Sequence, residues 1–340
     1  MLAEKSSRLK ALTLRRRQAK EDRAVLKTAI CDLFDIKYPI IQGGMAHLGT
    51  VELVSAVSNA GGLGIIGAGF YEPDWVRQQI RLTRQQTSQP FGINIQLASP
   101  FIRQVIEVVL EEKVAIVATG AGSPESYIPR FKQAGMKIMP VVADVASAKQ
   151  LEQAGADAIV AEGTEAGGHV GETTTMALVP QVVDSVQIPV VAAGGIADGR
   201  GLAAALALGA QGIQMGTRFA CSDECIANLS YKQKILEAHD CSTVVTRQTT
   251  GYPLRTLRNN LTDRVLVLEK AGISKEELEL FDSGRMYLGL IDGDIEEGSL
   301  LAGQIAGLIK EIKPVRVIIE EIMAEAEAII TSLKNLFSED

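Results

Sequence analysis

From Tyr38 to Ala220 the chain alternates between two hydrophobic periods. Short, nearly continuous apolar runs rich in Val, Ile and Ala give way to longer segments in which apolar residues return every three or four positions. The short runs predict strands at 39–44 (PIIQGG), 63–68 (LGIIGA), 91–97 (FGINIQL), 114–121 (VAIVATGA), 137–143 (KIMPVVA), 158–163 (AIVAEG), 188–195 (IPVVAAGG) and 212–220 (GIQMGTRFA). The longer segments, such as TVELVSAVSNAG, SAKQLEQAG and GRGLAAALALGA, predict helices, several of them closed by a glycine suited to a left-handed cap. Strands without polar alternation are covered on both faces, and helical crossovers make their neighbours parallel. Eight such units predict an α/β fold of the (β/α)8 TIM barrel type.

After the eighth predicted strand the rhythm stops. Residues 226–297 are polar and charged, and read as an inserted small cap domain; 298–340, beginning GSLLAGQIAGLIK, then return to the barrel as C-terminal helices completing the outer layer. The barrel proper is assigned to 31–225. Residues 1–30 form a basic N-terminal extension in which nine Lys and Arg oppose Glu4, Glu21 and Asp22; they read as an exposed helical arm.

Composition narrows the function. With 46% hydrophobic residues, 4% aromatic residues and 32 glycines, the chain suits close-packed helices around a parallel sheet. A formal net charge of −7 disfavours nucleic acid and anionic membranes as partners of the whole molecule. The four cysteines form no CxxC pair, no 18-residue apolar span occurs, and the start has no secretory signal, so a cytoplasmic protein with reduced thiols is expected. No HExxH, P-loop or GxSxG motif appears, and no metal site is expected.

In a barrel, working groups gather on the loops that follow the strands. Those ends read QGGM (Gln42 to Met45), GINI (Gly92 to Ile95), ATGAG (Ala118 to Gly122), AEGTEAGGH (Ala161 to His169), AAGGI (Ala192 to Ile196) and QMGT (Gln214 to Thr217). The pairs Gly43–Gly44 and Gly194–Gly195 let main-chain amides approach a flat ring or a phosphate. Gly194, Gly195, Gly216 and Thr217 occupy the customary phosphate position of the fold. Asn94 is polar inside an apolar strand, and serves either a neighbouring loop or a ligand's amide edge. His169, one of only three histidines, follows the sixth strand among Gly167, Gly168 and Gly171, which give it access to a ligand. His47 lies just beyond the QGGM turn and is a second candidate for the pocket, whereas His239 falls in the insertion and reads as surface.

The set PIIQGGM, AGGLGIIGAG, FGINI, TGAG, AEGTEAGGHVGETTTMALVP, IPVVAAGGIADGRG and IQMGTRF resembles the FMN-dependent enoyl-acyl-carrier-protein reductase II family, within the nitronate monooxygenase superfamily, over roughly residues 31–310. ATGAGSP at the fourth strand end, where nitronate monooxygenases usually carry a histidine, is similar to the reductases, as are GETTTMALVP and DGDIEEGSLLAGQIAGL. The resemblance implies FMN held by Gly43, Gly44, Met45, Asn94, Thr119, Glu162, Gly168, Gly194, Gly195, Met215, Gly216 and Thr217. It also implies NADH or NADPH as reductant, a trans-2-enoyl thioester on an acyl carrier protein as substrate, activation by a monovalent cation, and a homodimer. His169 would then either polarise the thioester carbonyl or supply the α-proton. An acidic carrier protein calls for a basic docking surface, and TRQTTGYPLRTLRNNLTDR offers Arg247, Arg255, Arg258 and Arg264 against Asp263. Two other readings use the same features: a nitronate monooxygenase or quinone reductase on the same flavin barrel, and a flavin-binding regulator without catalysis.

Overall fold

The computed structural model describes residues 26–336. Every predicted strand segment contains an observed strand: Ile40–Gln42 (β1), Gly64–Gly67 (β2), Phe91–Gln96 (β3), Ile116–Gly120 (β4), Lys137–Val142 (β5), Ile159–Glu162 (β6), Val190–Ala193 (β8) and Gly212–Met215 (β9). They form one parallel sheet in the order β1-β9-β8-β6-β5-β4-β3-β2. A bridge between Ile41 and Leu63 closes the ring as a (β/α)8 barrel. At this thinly paired seam the Gln42 side chain acts as a piece of backbone: its Nε2 donates to the Ile65 carbonyl (3.2 Å) and its Oε1 accepts from the Ile65 amide (3.0 Å).

Alternate residues divide the core in two. Ile41, Ile65, Ile116, Ala118, Met139, Val160, Val191 and Ala193 pack inside the barrel, joined by Ile30 and Phe34 of the helix Ala29–Phe34. That helix sits at the N-terminal rim, where a β-carbon on Gly212 would meet Ile30 at 3.4 Å. The opposite parity, including Ile93, Ile95, Val117, Ile159 and Ile213, faces the helical layer. Burying each such side chain is worth about 1.5–3 kcal/mol, so parity is strongly specified even though no polar alternation marks it.

In the outer layer the helix Val315–Lys334 packs against Gly199–Ala207, so the chain's last described helix finishes the barrel after the insertion. The two come so close at Gly199 that a β-carbon there would lie 2.5 Å from the Ala326 amide. Between β9 and that helix come Leu229–Leu236, the antiparallel pair Thr243–Thr246 (β10) and Leu254–Leu257 (β11), and the helices Asn260–Lys270 and Lys275–Phe281, with a small core of Leu261, Val265 and Leu278. Two local expectations change. TRFA, read as the end of a strand, is the short helix Thr217–Ala220, because the strand ends before Gly216. The loop after β6 is partly a strand: Gly168–His169 (β7) pairs antiparallel with β11. Among the described residues no helix is long and apolar enough to cross a membrane. Most of the basic N-terminal segment, residues 1–25, lies outside the described residues.

Candidate functional site

A cavity of about 440 Å³ opens at the C-terminal ends of the strands, between the barrel and the inserted segment. Its barrel side is built from Gly43, Gly44, Met45, Asn94, Glu162, Gly168, Gly194, Gly195, Met215, Gly216 and Thr217, with His169 beside them. The structure thus gathers every sequence-nominated cofactor position except one. Thr119 is buried in β4 opposite Ile95, on the parity that faces the helices, and does not line the cavity. Its hydroxyl has no hydrogen-bond partner there.

Backbone geometry explains the glycines. Gly194 (φ 83°) and Gly195 (φ 72°) sit in the left-handed region that L side chains resist, and a β-carbon on Gly194 would lie 2.8 Å from the Gly163 carbonyl. Gly44 is needed for a different reason, since a β-carbon there would fall 2.2 Å from that of Asn94. A β-carbon on Gly168 would meet nothing within 4 Å, so main chain faces open space at that point. Around this bare rim the side-chain amides of Asn94, Gln96 and Gln214 make no hydrogen bond to any described residue while lining the cavity. Unpaired amides beside exposed main chain suit a flat, polar-edged heterocycle, which would supply the missing partners. The residues present therefore fit a flavin.

Two titratable groups frame this space. Glu162 ends β6 on the inward parity, and loss of solvent pushes its carboxyl up to about 7. His169 stands at the mouth with part of its ring exposed. Packing around the imidazole, and then the charge of Arg247, hold its pKa below the usual range, against a raising influence from the Pro253 carbonyl. Its placement is made by strands the sequence pattern did not reveal: His169 pairs with Leu254 and Gly168 with Arg255, while the Val170 amide donates to the Pro253 carbonyl (3.1 Å). From below, Glu165 anchors the same loop by accepting from the Thr175 amide (2.9 Å) and hydroxyl (3.0 Å) at the start of the helix Thr175–Val183. From the side, the Gln304 amide donates to the Glu165 carbonyl (2.9 Å) and Gly303 donates to the Thr217 hydroxyl (2.9 Å).

Facing the barrel, the insertion and the returning segment add Tyr231, Leu254, Met286, Leu290, Leu301 and Ile305. Sequence reasoning missed this wall, because none of these residues belongs to a strand-end motif. His47 is not part of the lining: its Nδ1 lies 2.7 Å from the Tyr71 hydroxyl, and its ring meets Tyr71 and Tyr287 edge-on at 5.4 Å. His239 is exposed in the insertion, as its sequence position suggests.

The four arginines of the expected basic surface are not equivalent in the fold. Arg255 is only 7% exposed; its Nε donates to the Thr164 carbonyl (2.9 Å) and its Nη1 to the Thr243 hydroxyl (3.0 Å). Arg247 pairs with Asp282, Arg258 with Asp263 and Arg264 with Glu297. Local sequence showed only Asp263; the other two acids arrive from distant turns of the insertion.

Comparison with known proteins agrees with this geometry. The family model described as nitronate monooxygenase matches residues 27–104 and 94–325. A probable nitronate monooxygenase of Staphylococcus saprophyticus is 40% identical over 281 residues, covering 69% of this chain and 79% of its own. FabK from Thermotoga maritima superposes with a TM-score of 0.90 at 48% identity, over 92% of this chain and 99% of its own. A nitroalkane oxidase from Streptomyces ansochromogenes gives a TM-score of 0.80 at 30% identity, over 90% and 100%. The chain therefore belongs to the nitronate monooxygenase family of flavin-dependent oxidoreductases.

Proposed function

We propose that this chain is an FMN-dependent enoyl-acyl-carrier-protein reductase, using NADH or NADPH to reduce a trans-2-enoyl thioester. The likeness to FabK supports this reading. The observation that carries it is the placement of the His169 imidazole in the same cavity as an apolar wall of Leu254, Met286, Leu290, Leu301 and Ile305. A neutral imidazole donates to a carbonyl oxygen without demanding an anionic substrate, and the wall gives an acyl chain a dry surface.

Gly43, Gly44, Met45, Gly168, Gly194, Gly195, Met215, Gly216 and Thr217 would hold FMN by main chain and close contact, and Asn94 and Glu162 by side-chain hydrogen bonds. When bound, FMN supplies the two-electron chemistry that links the nicotinamide to the enoyl β-carbon. The protein's own part is positional and electrostatic. His169 donates a hydrogen bond to the thioester oxygen and stabilises the negative charge that gathers there; its lowered pKa favours this role over delivery of the α-proton. The apolar wall excludes water from the reacting carbons. With Arg255 buried and the other three arginines paired, recognition of the thioester rests on this wall rather than on a free basic patch.

A second reading, nitronate oxidation, is favoured by the family model and by the Staphylococcus saprophyticus relative. The two separate in the half-reaction that each substrate drives. Anaerobically reduced enzyme mixed in a stopped-flow instrument with crotonyl thioester, on carrier protein or coenzyme A, should reoxidise within the turnover time. Oxidised enzyme mixed with propyl nitronate should show no flavin reduction; the reverse pattern would establish the second reading.

A further inference from the structure

Of the three side-chain amides that line the cavity without a partner, Gln96 stands apart from the other two. Asn94 and Gln214 belong to the floor: a β-carbon on Gly44 would fall 2.2 Å from that of Asn94, and one on Gly43 would lie 3.2 Å from the Gln214 side chain. Gln96 shares the inward parity of Asn94 on β3 but comes two residues later, about 7 Å nearer the mouth. The neighbouring strand locates its end. Gln96 pairs in register with Gly120 of β4, and a β-carbon on Gly120 would lie 4.0 Å from Gln96 Oε1, so the carboxamide lies beside a residue with no side chain of its own.

The ring of strands fixes what this group faces. In the order β1-β9-β8-β6-β5-β4-β3-β2, β3 stands opposite β8, and β4 opposite β9. Gly194 and Gly195 follow β8, and Gly216 and Thr217 follow β9, so Gln96 sits on the rim across the barrel from the expected phosphate position. Beside it Gly120, Ala121, Val142 and Ala143 add no polar side chain to the lining. Ala121 is held in the left-handed region (φ 57°), and its main-chain amide donates to no described residue. This stretch of rim therefore offers a carboxamide that can both donate and accept, with a main-chain donor next to it.

We propose that Gln96 is a specificity-determining residue that reads an amide group on the substrate lying over the flavin. A carboxamide has two N–H donors and an acceptor oxygen, and the ligand edge that answers both is another amide. The primary amide of a reduced nicotinamide and the secondary amides of a pantetheine thioester both present it. The inference rests on the reading of the cavity as a flavin site that receives a nicotinamide and a thioester. A site built around an unpaired carboxamide discriminates against a ligand without an amide, because covering the group without a partner costs more than the pair gains. His169 approaches from the loop after β6 and Gln96 from the end of β3, so the substrate is fixed from two sides of the cavity.

The test compares wild type with Gln96→Met, which keeps the length of the side chain and removes its carboxamide, both loaded with FMN. Anaerobic stopped-flow traces at varied substrate concentration give dissociation constants for two pairs of substrates. Flavin reduction is followed with NADH or NADPH and with the matching reduced acetylpyridine dinucleotide, in which a methyl ketone replaces the carboxamide. Flavin reoxidation is followed with crotonyl pantetheine and with crotonyl S-ethyl thioester, which has no amide. Gln96→Met should weaken binding of the amide-bearing member of at least one pair by about tenfold and leave its partner unchanged. Selective loss in the dinucleotide pair assigns the contact to the nicotinamide, and in the thioester pair to the pantetheine arm. Equal changes within both pairs, or none, would overturn the proposal. So would a fall in FMN affinity without selective loss, which would place the carboxamide on the flavin. If reduced wild type were reoxidised by neither thioester, the reductase reading would fail, and the dinucleotide pair would still decide the role of Gln96.

Discussion

Desolvation that raises the Glu162 carboxyl to about 7 places a group that changes charge near neutrality on the cavity lining. Its folded value lies above the ordinary 4.5, so the folded chain is favoured below that ordinary value. Stability is then lost as pH rises towards 7, where the folded form too must ionise. Glu162→Gln should therefore raise the melting temperature of the flavin-free protein at about pH 8 and leave it nearly unchanged at about pH 4. Equal shifts at both values would mean that the carboxyl is solvated. The same scale shows why some site residues were legible and one was not. Asn94 announced itself as a polar residue in an apolar strand, and Gly44 beside it follows from the 2.2 Å approach of its β-carbon position. Thr119 sits in a strand apolar on both faces, where only the register opposite Ile95 reveals that it turns outward.

At the scale of elements, the eight barrel strands were readable because parallel strands buried on both faces are almost uninterrupted apolar runs. The small sheet was not, since β7 is two residues long and its partner β11 lies far along the chain. Only tertiary pairing makes it a strand. The same long reach hid the acids that neutralise Arg247 and Arg264. The loop bearing His169 is held between β11 and the returning segment at Gly303, where a β-carbon would lie 2.7 Å from the Glu165 carbonyl oxygen. Because that obstacle is backbone, Gly303→Ala should cost about 1–3 kcal/mol in denaturant unfolding. It should also slow flavin reoxidation by enoyl thioester more than it weakens FMN binding. Wild-type stability and rates in this variant would show that the contact yields freely.

For the molecule as a whole, function depends on two pieces meeting. The barrel supplies a rim of main chain and unpaired amides, while the insertion and the returning segment supply the apolar wall, and the insertion supplies the strand β11 that holds His169 in place. Neither piece alone forms the cavity. With a net charge of −7 and the arginines of 246–264 either buried or paired, long-range attraction is a weak basis for binding an acidic carrier. On the proposed reading the chemistry is carried inside the cavity, with His169 as its principal polar contact to the substrate. Single-turnover reoxidation of reduced enzyme by a trans-2-enoyl thioester tests this most directly, comparing wild type with His169→Ala at equal FMN occupancy. The account predicts a rate lowered by about 10²-fold or more with FMN affinity retained; an unchanged rate in His169→Ala would contradict it.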